Sequence, residues 1–137
     1  MVRPAIYLSQ ADVEKIRLLI HEMLHSEQRV KPNIQQLKSE LDRALVVDPH
    51  RVPPDCITMR SQALLKDQET GETMTYTLVF PEDADIDQGK ISVLAPIGTA
   101  MLGCRVGDHF EWETPGGTRS IHVEKQLFQP EAAGDYS

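Results

Sequence analysis

Three prolines within nine residues, Pro49, Pro53 and Pro54 in VDPHRVPPD (residues 47–55), divide this chain of 137 residues. Each proline removes a backbone donor and biases the residue before it away from helix, so no helix runs through this stretch. The hydrophobic period differs on its two sides. Before it, apolar residues recur every three or four positions; after it they alternate, as strands require. The boundaries expected from this are an N-terminal helical unit over 1–46, a connector over 47–55 and a sheet unit over 56–137.

In the first unit Ser9, followed three residues later by Asp12, reads as a capping box opening a helix. Val13, Ile16, Ile20 and Met23 then form a narrow seam, broadened by Leu19 and Leu24. The polar stretch SEQRVKPN interrupts it, and Asn33 with Gln36 reads as the cap of a second helix carrying Ile34, Leu37, Leu41 and Ala44 or Leu45. Two amphipathic helices joined by a short loop fold back antiparallel, each burying the other's seam. At 1.5 Å per residue such an arm is only about 25 Å long. A narrow seam fits either a hairpin packed on its own domain or an arm that projects, and favours the second.

In the second unit CITMR and SQALLK read as short strands, KDQETGET as a turn around Gly71, and TMTYTLVF as the partner strand of a hairpin. PEDADIDQG is an acidic loop, ISVLA a strand, and PIGTAMLG a short helix with Pro96 at its start and Gly103 past its end. HFEWE, a turn at TPGG (residues 114–117) and TRSIHVEKQLF complete the sheet. The expected class is α+β: a short two-helix coiled coil followed by an antiparallel sheet domain with one short helix.

Charge limits what such a chain can bind. Residues 1–50 carry seven Lys/Arg and seven Asp/Glu, whereas residues 51–137 carry seven and fourteen, so the whole net charge of −7 lies in the second part. That balance argues against nonspecific nucleic-acid binding. No apolar run is long enough to span a membrane, and the first residues lack a signal-peptide core, so a cytoplasmic address is expected. Cys56 and Cys104, far apart and outside any C-x-x-C pair, read as small core residues.

One motif points to catalysis. His21-Glu22-Met23-Leu24-His25 has the H-E-x-x-H spacing, which on a helix can place two histidines on zinc and a glutamate as general base. A catalytic zinc needs a third protein ligand and a shielded site. The metzincin continuation needs glycine at 28 and histidine at 31; the chain has Gln28 and Lys31. Glu40 on the second helix lies far from the hairpin tip. With the seam at Val13, Ile16, Ile20 and Met23, the two histidines face outward, and they are read as solvated side chains rather than metal ligands.

The run QGKISVLAPIGTAMLGCRVGDHFEWETPGG resembles the C-terminal domain of the Gre transcript-cleavage factors, in its I-S-V strand, its proline loop, its short helix and its V-G-D and T-P-G-G turns. The closing QPEAAGDY and the short N-terminal arm are similar, more narrowly, to the Rnk branch of that family. The resemblance covers essentially the whole chain. It implies an FKBP-like sheet domain behind an antiparallel coiled coil, and binding to the secondary channel of bacterial RNA polymerase. In Gre factors two acidic residues at the coiled-coil tip support a catalytic magnesium. Here the tip offers Glu27 alone, beside Arg29 and Lys31, and a lone carboxylate next to two cations is a poor magnesium ligand. Binding without transcript cleavage is expected, in competition with Gre factors, with no enzymatic activity, cofactor or metal.

The resemblance also assigns the polymerase-docking loop to Pro96, Ile97 and Gly98. Leu94 and Ala95, where Gre factors have small polar residues, are either an apolar contact patch or a better-packed strand end. Glu82, Asp83, Asp85 and Asp87 are either partners for basic polymerase residues or a solvated loop; Asp83 and Asp85 are taken as contacts. A monomer is expected. The alternatives from other classes are a zinc hydrolase on His21, Glu22 and His25, and an FKBP-type prolyl isomerase. The second is opposed by an aromatic content of 5% and by Trp112, the one tryptophan, which lies in an alternating strand and reads as core.

Overall fold

A computed structural model describes residues 7–24, 32–42, 44–48, 51–114 and 116–134. Strand β1 (Tyr7–Ser9) leads into helix α1 (Gln10–Leu24), α2 (Pro32–Asp42) follows, and β2 (Leu45–Val47) pairs with β1 in a two-stranded parallel sheet. The Ser9 hydroxyl accepts the Asp12 N–H at 3.3 Å, so the expected cap is in place. The second helix starts earlier than expected. Pro32 occupies its first position, where a missing N–H costs nothing, and Asn33 falls inside the first turn instead of capping it. It also ends at Asp42, and Leu45 belongs to β2, because a three-residue strand is too short to show alternation in the sequence.

The main sheet contains β3 (Gln62–Asp67), β4 (Thr73–Val79), β5 (Lys90–Ser92), β6 (His109–Thr114) and β7 (Gly117–Phe128), in the order β5-β4-β3-β7-β6. The β3–β4 hairpin turns where expected. Asp67 accepts the N–H groups of Glu69 and Thr70, and Gly71 takes the left-handed conformation with φ of 77°. Three strand pairs are antiparallel, but β5 runs parallel to β4, which corrects the expectation of a wholly antiparallel sheet. Between these two strands the chain makes two 3-10 turns, Pro81–Asp83 and Ile86–Gln88, enough to bring it back in the same direction.

CITMR is not a strand. Cys56 makes a single bridge to Arg105, and Arg60 has φ of 69°, a conformation that costs a non-glycine residue about 1 kcal/mol. The remaining strand assignments stand, except that β5 stops at Ser92, before Val93-Leu94-Ala95. Residue 115, inside the expected TPGG turn, lies outside the described residues, while the pair Thr114 and Gly117 closes the β6–β7 hairpin.

One hydrophobic cluster joins the two units. Val13, Ile16 and Ile20 of α1 and Leu37 and Leu41 of α2 pack in the same core as Met59, Leu65, Leu78, Ile91, Met101 and Val123. The described part of the helical pair is therefore fused to the domain, which corrects the expectation of a projecting arm: the seam is buried by the sheet domain as well as by the partner helix. The connector is equally fastened: Gln129 Nε2 donates to the Pro53 and Cys56 carbonyls at 2.8 Å each, and Arg105 pairs with Asp55 at 2.9 Å. Cys56 and Cys104 are buried as expected, and burial pushes the Cys56 thiol up to about 11, which leaves it unreactive. Trp112 is half-buried against the core.

Candidate functional site

Helix α3 (Pro96–Met101) decides what the expected docking loop can present. The chain leaves β5 through a tight turn in which the Ser92 hydroxyl accepts the Leu94 N–H and the Ser92 carbonyl accepts the Ala95 N–H, both at 3.0 Å. Pro96 then opens the helix, its fixed φ suiting the first position. The Thr99 hydroxyl donates to the Val93 carbonyl at 2.7 Å. Gly98 lies so close to β5 that a Cβ there would sit 2.0 Å from the Ser92 oxygen. Ile97 and Gly98 are consequently buried and only Pro96 is exposed. Of the three residues expected to contact a partner, two are used to weld α3 to the sheet, so the surface of this loop reduces to Pro96 with half-buried Leu94 and Ala95.

The acidic loop has the opposite character. Every residue from Pro81 to Gln88 is exposed, including Glu82, Asp83, Asp85 and Asp87. Its shape is set by backbone. Asp85 and Lys90 exchange both N–H···O bonds at 2.9 Å, the Asp85 carboxylate accepts the Asp87 N–H at 3.1 Å, and Gly89 closes the turn at φ of 72°. Four carboxylates are thus held on a fixed scaffold facing solvent.

Of the H-E-x-x-H residues, His21 and Glu22 are exposed on α1, while His25 lies outside the described residues. Among the described residues no group of three metal-ligating side chains converges. The tip residues Glu27, Arg29 and Lys31 also lie outside the described residues.

Sequence reasoning missed a pair of carboxylates where α1 meets the domain, Asp12 half-buried and Glu131 buried. The Thr58 hydroxyl donates to Glu131, 2.5 Å from Oε1 and 3.1 Å from Oε2, and the Ser61 hydroxyl accepts the Thr58 N–H at 2.9 Å. Asp12 faces this group. Burial, reinforced by the Glu131 charge, pushes its carboxyl up to about 6, although the Met59 N–H and the Arg60 and Lys15 cations favour the charged form. Asp12 carried a local signal, the cap; its partner 119 residues later carried none. On the sheet, the His109 and His122 rings lie 4.4 Å apart and His122 Nδ1 is 2.8 Å from Glu124, which holds the Glu124 carboxyl below its usual range.

What this arrangement offers is surface: an exposed carboxylate turn and a proline corner on either side of β5. Residues 4–47 match the family model described as Rnk N-terminus, and residues 52–125 match that described as transcription elongation factor GreA/GreB, C-term. The chain is 39% identical over 137 residues to the regulator of nucleoside diphosphate kinase of Escherichia coli (strain K12), covering 99% of this chain and 98% of that one. It is 37% identical over 103 residues to transcription elongation factor GreA of Desulfotalea psychrophila, covering 75% of this chain and 64% of that protein. Among solved structures, a prokaryotic transcription elongation factor GreA/GreB from Nitrosomonas europaea superposes with a TM-score of 0.77 at 36% identity, covering 92% of this chain and 100% of that one.

Proposed function

Because this chain belongs to the GreA/GreB transcription elongation factor family, alongside the regulators of nucleoside diphosphate kinase, we propose that it regulates bacterial transcription by binding core RNA polymerase at its secondary channel. The carrying observation is the two-part match: an Rnk-type N-terminal segment over 4–47 directly before a Gre-type domain over 52–125. The sheet domain docks outside the channel through Pro96 and the acidic turn, and the short arm occupies part of the channel. It acts as a cytoplasmic monomer, by steric exclusion of longer-armed factors that use the same entrance.

Transcript cleavage is no part of this reading. The first helix, Gln10–Leu24, is only about 22 Å long, and Val13, Ile16 and Ile20 hold much of it against the domain core. The tip sequence supplies Glu27 beside Arg29 and Lys31, a set too poor in carboxylate to share a magnesium ion. Equilibrium binding of the labelled protein to core polymerase, with an unlabelled Gre factor as competitor, tests the proposal. Saturable binding displaced by the Gre factor is expected. Absent binding, or binding the competitor leaves untouched, overturns the location. Stimulated RNA cleavage in a stalled elongation complex overturns the claim of binding alone.

A further inference from the structure

Helix α1 carries a second stripe beside its buried seam. Lys15, Leu18, Leu19 and Glu22 recur at three, one and three residues, so they share one face, centred about 130° around the helix from Ile16 and Ile20. This stripe forms one wall of an open groove of about 460 Å³, and Phe80, Pro81 and Glu82 form the other. Leu18 is 60% exposed at its mouth, and Lys15 Nζ is 5.7 Å from the centroid of the Phe80 ring. A leucine this exposed beside a partly open phenylalanine and a proline is an apolar floor that the described residues leave uncovered.

The rim selects the occupant. Glu22 and Glu82 stand at the groove, and Asp83, Asp85 and Asp87 continue the negative edge along the turn. Among the described residues the one cation lining the groove, Lys15, lies over the Phe80 ring. An acidic rim around an apolar floor complements a segment with the reverse pattern: an apolar stripe flanked by Lys or Arg. A second copy of this chain fits badly, because its net charge is −7 and the same rim would face itself.

We propose that this groove grips a basic amphipathic helix of the partner protein, with Leu18, Leu19 and Phe80 taking its apolar side chains and Glu22 and Glu82 its cations. The identity of that partner as polymerase rests on the reading above; the chemistry of the occupant follows from the groove. The residues from Lys15 to Glu22 span two helical turns, about 10 Å, which is the length of occupant that the floor engages.

The test uses the full chain in two arms. In the first, a short synthetic helical peptide with one leucine stripe flanked by lysines is titrated while backbone amide resonances are followed, against a twin with glutamates for lysines. The proposal expects shifts confined to residues 15–22 and 80–82, and binding at least about ten-fold weaker for the acidic twin, for Leu18→Glu and for Glu22→Lys/Glu82→Lys. Equal binding of the twin, shifts elsewhere, or self-association of the chain through Leu18 overturns it. All three positions are on the surface, and an unchanged far-ultraviolet spectrum establishes that the variants fold. In the second arm the same proteins are titrated against core polymerase. If the wild type binds and Leu18→Glu binds equally well, the groove is not the grip. If the wild type fails to bind polymerase while the basic peptide still seats in the groove, the polymerase reading falls and the groove stands.

Discussion

The two segments flanking β5 each hold residues expected to contact a partner, Asp83 and Asp85 before it and Pro96, Ile97 and Gly98 after it, and physics gives them opposite fates. From Pro81 to Gln88 every residue is exposed; from Ile97 to Cys104 every residue is buried. The first is rich in carboxylates, whose desolvation is expensive, and its backbone bonds are made within the turn. The second is small and apolar, and its one hydroxyl, on Thr99, reaches a carbonyl. A short apolar run in a loop reads equally as a contact patch or as packing, and here packing takes all but Pro96. A run of charges carries no such ambiguity about burial, only about whether anything meets it.

The largest expected effect comes from forcing the buried segment open. Gly98→Ala places a methyl group 2.0 Å from the Ser92 oxygen and 2.9 Å from its carbon, so α3 must move off β5. We expect a loss of about 3 kcal/mol in urea unfolding, at the upper end for overpacking. Gly71→Ala is the control: nothing lies within 4 Å of its Cβ, and only the positive φ is strained, at about 1 kcal/mol. Equal losses at the two glycines would remove the close approach as the reason for Gly98.

The contrast extends to carboxylates. Asp83 is exposed, whereas Asp12 is partly buried against Glu131 and has its pKa raised to about 6. The folded form therefore holds a proton that the unfolded chain releases at ordinary carboxylate pH. The resulting stabilisation is complete only below the unfolded carboxyl's value of 3.8 and is lost as pH rises through about 6. The displacement is worth on the order of 2 kcal/mol once partial solvent access is allowed for. Asp12→Asn should flatten stability between pH 4.5 and 7.5, measured by urea titration on the order of one pH unit apart. A wild-type profile as flat as the variant's would show that Asp12 does not sense its burial.

Thr99→Val comes next. It keeps the volume of the buried segment but deletes the 2.7 Å bond to the Val93 carbonyl, and should cost about 1 kcal/mol in the same unfolding assay. No loss would mean that shape alone holds α3 to the sheet.

How much of this was legible follows from how local each cause is. The turn at Gly71, the alternation of β4 and β7, the cap at Ser9 and the proline opening α3 are decided by neighbouring residues, and the sequence reads correctly there. The parallel pairing of β5 with β4, the three-residue strands β1 and β2, and the left-handed Arg60 depend on distant backbone. Thr58 with Glu131 is separated by 73 residues, and no pattern announces it. The expected docking residues were half legible for the same reason. The exposure of Asp83 and Asp85 is written in their charge, but the burial of Ile97 and Gly98 appears only when β5 lies beneath them.

The smallest effect on the fold should be the most informative about function. Asp83 is exposed in a 3-10 turn whose bonds are made by backbone, so Asp83→Asn removes a charge and almost nothing else. Stability should change by less than about 0.5 kcal/mol. Asp85→Asn is expected to behave alike, because asparagine keeps a side-chain oxygen to accept the Asp87 N–H. If these carboxylates meet basic groups on polymerase, each variant weakens binding by about two- to five-fold at low salt, within the range of exposed ion pairs. That deficit should shrink as ionic strength rises, since the lost interaction is screened within about 10 Å at 0.1 M salt. A deficit independent of salt would mean the asparagine perturbs the turn and not the charge. Unchanged binding at every salt would leave the acidic turn a solvated loop, and its difference from the buried segment would then concern folding alone.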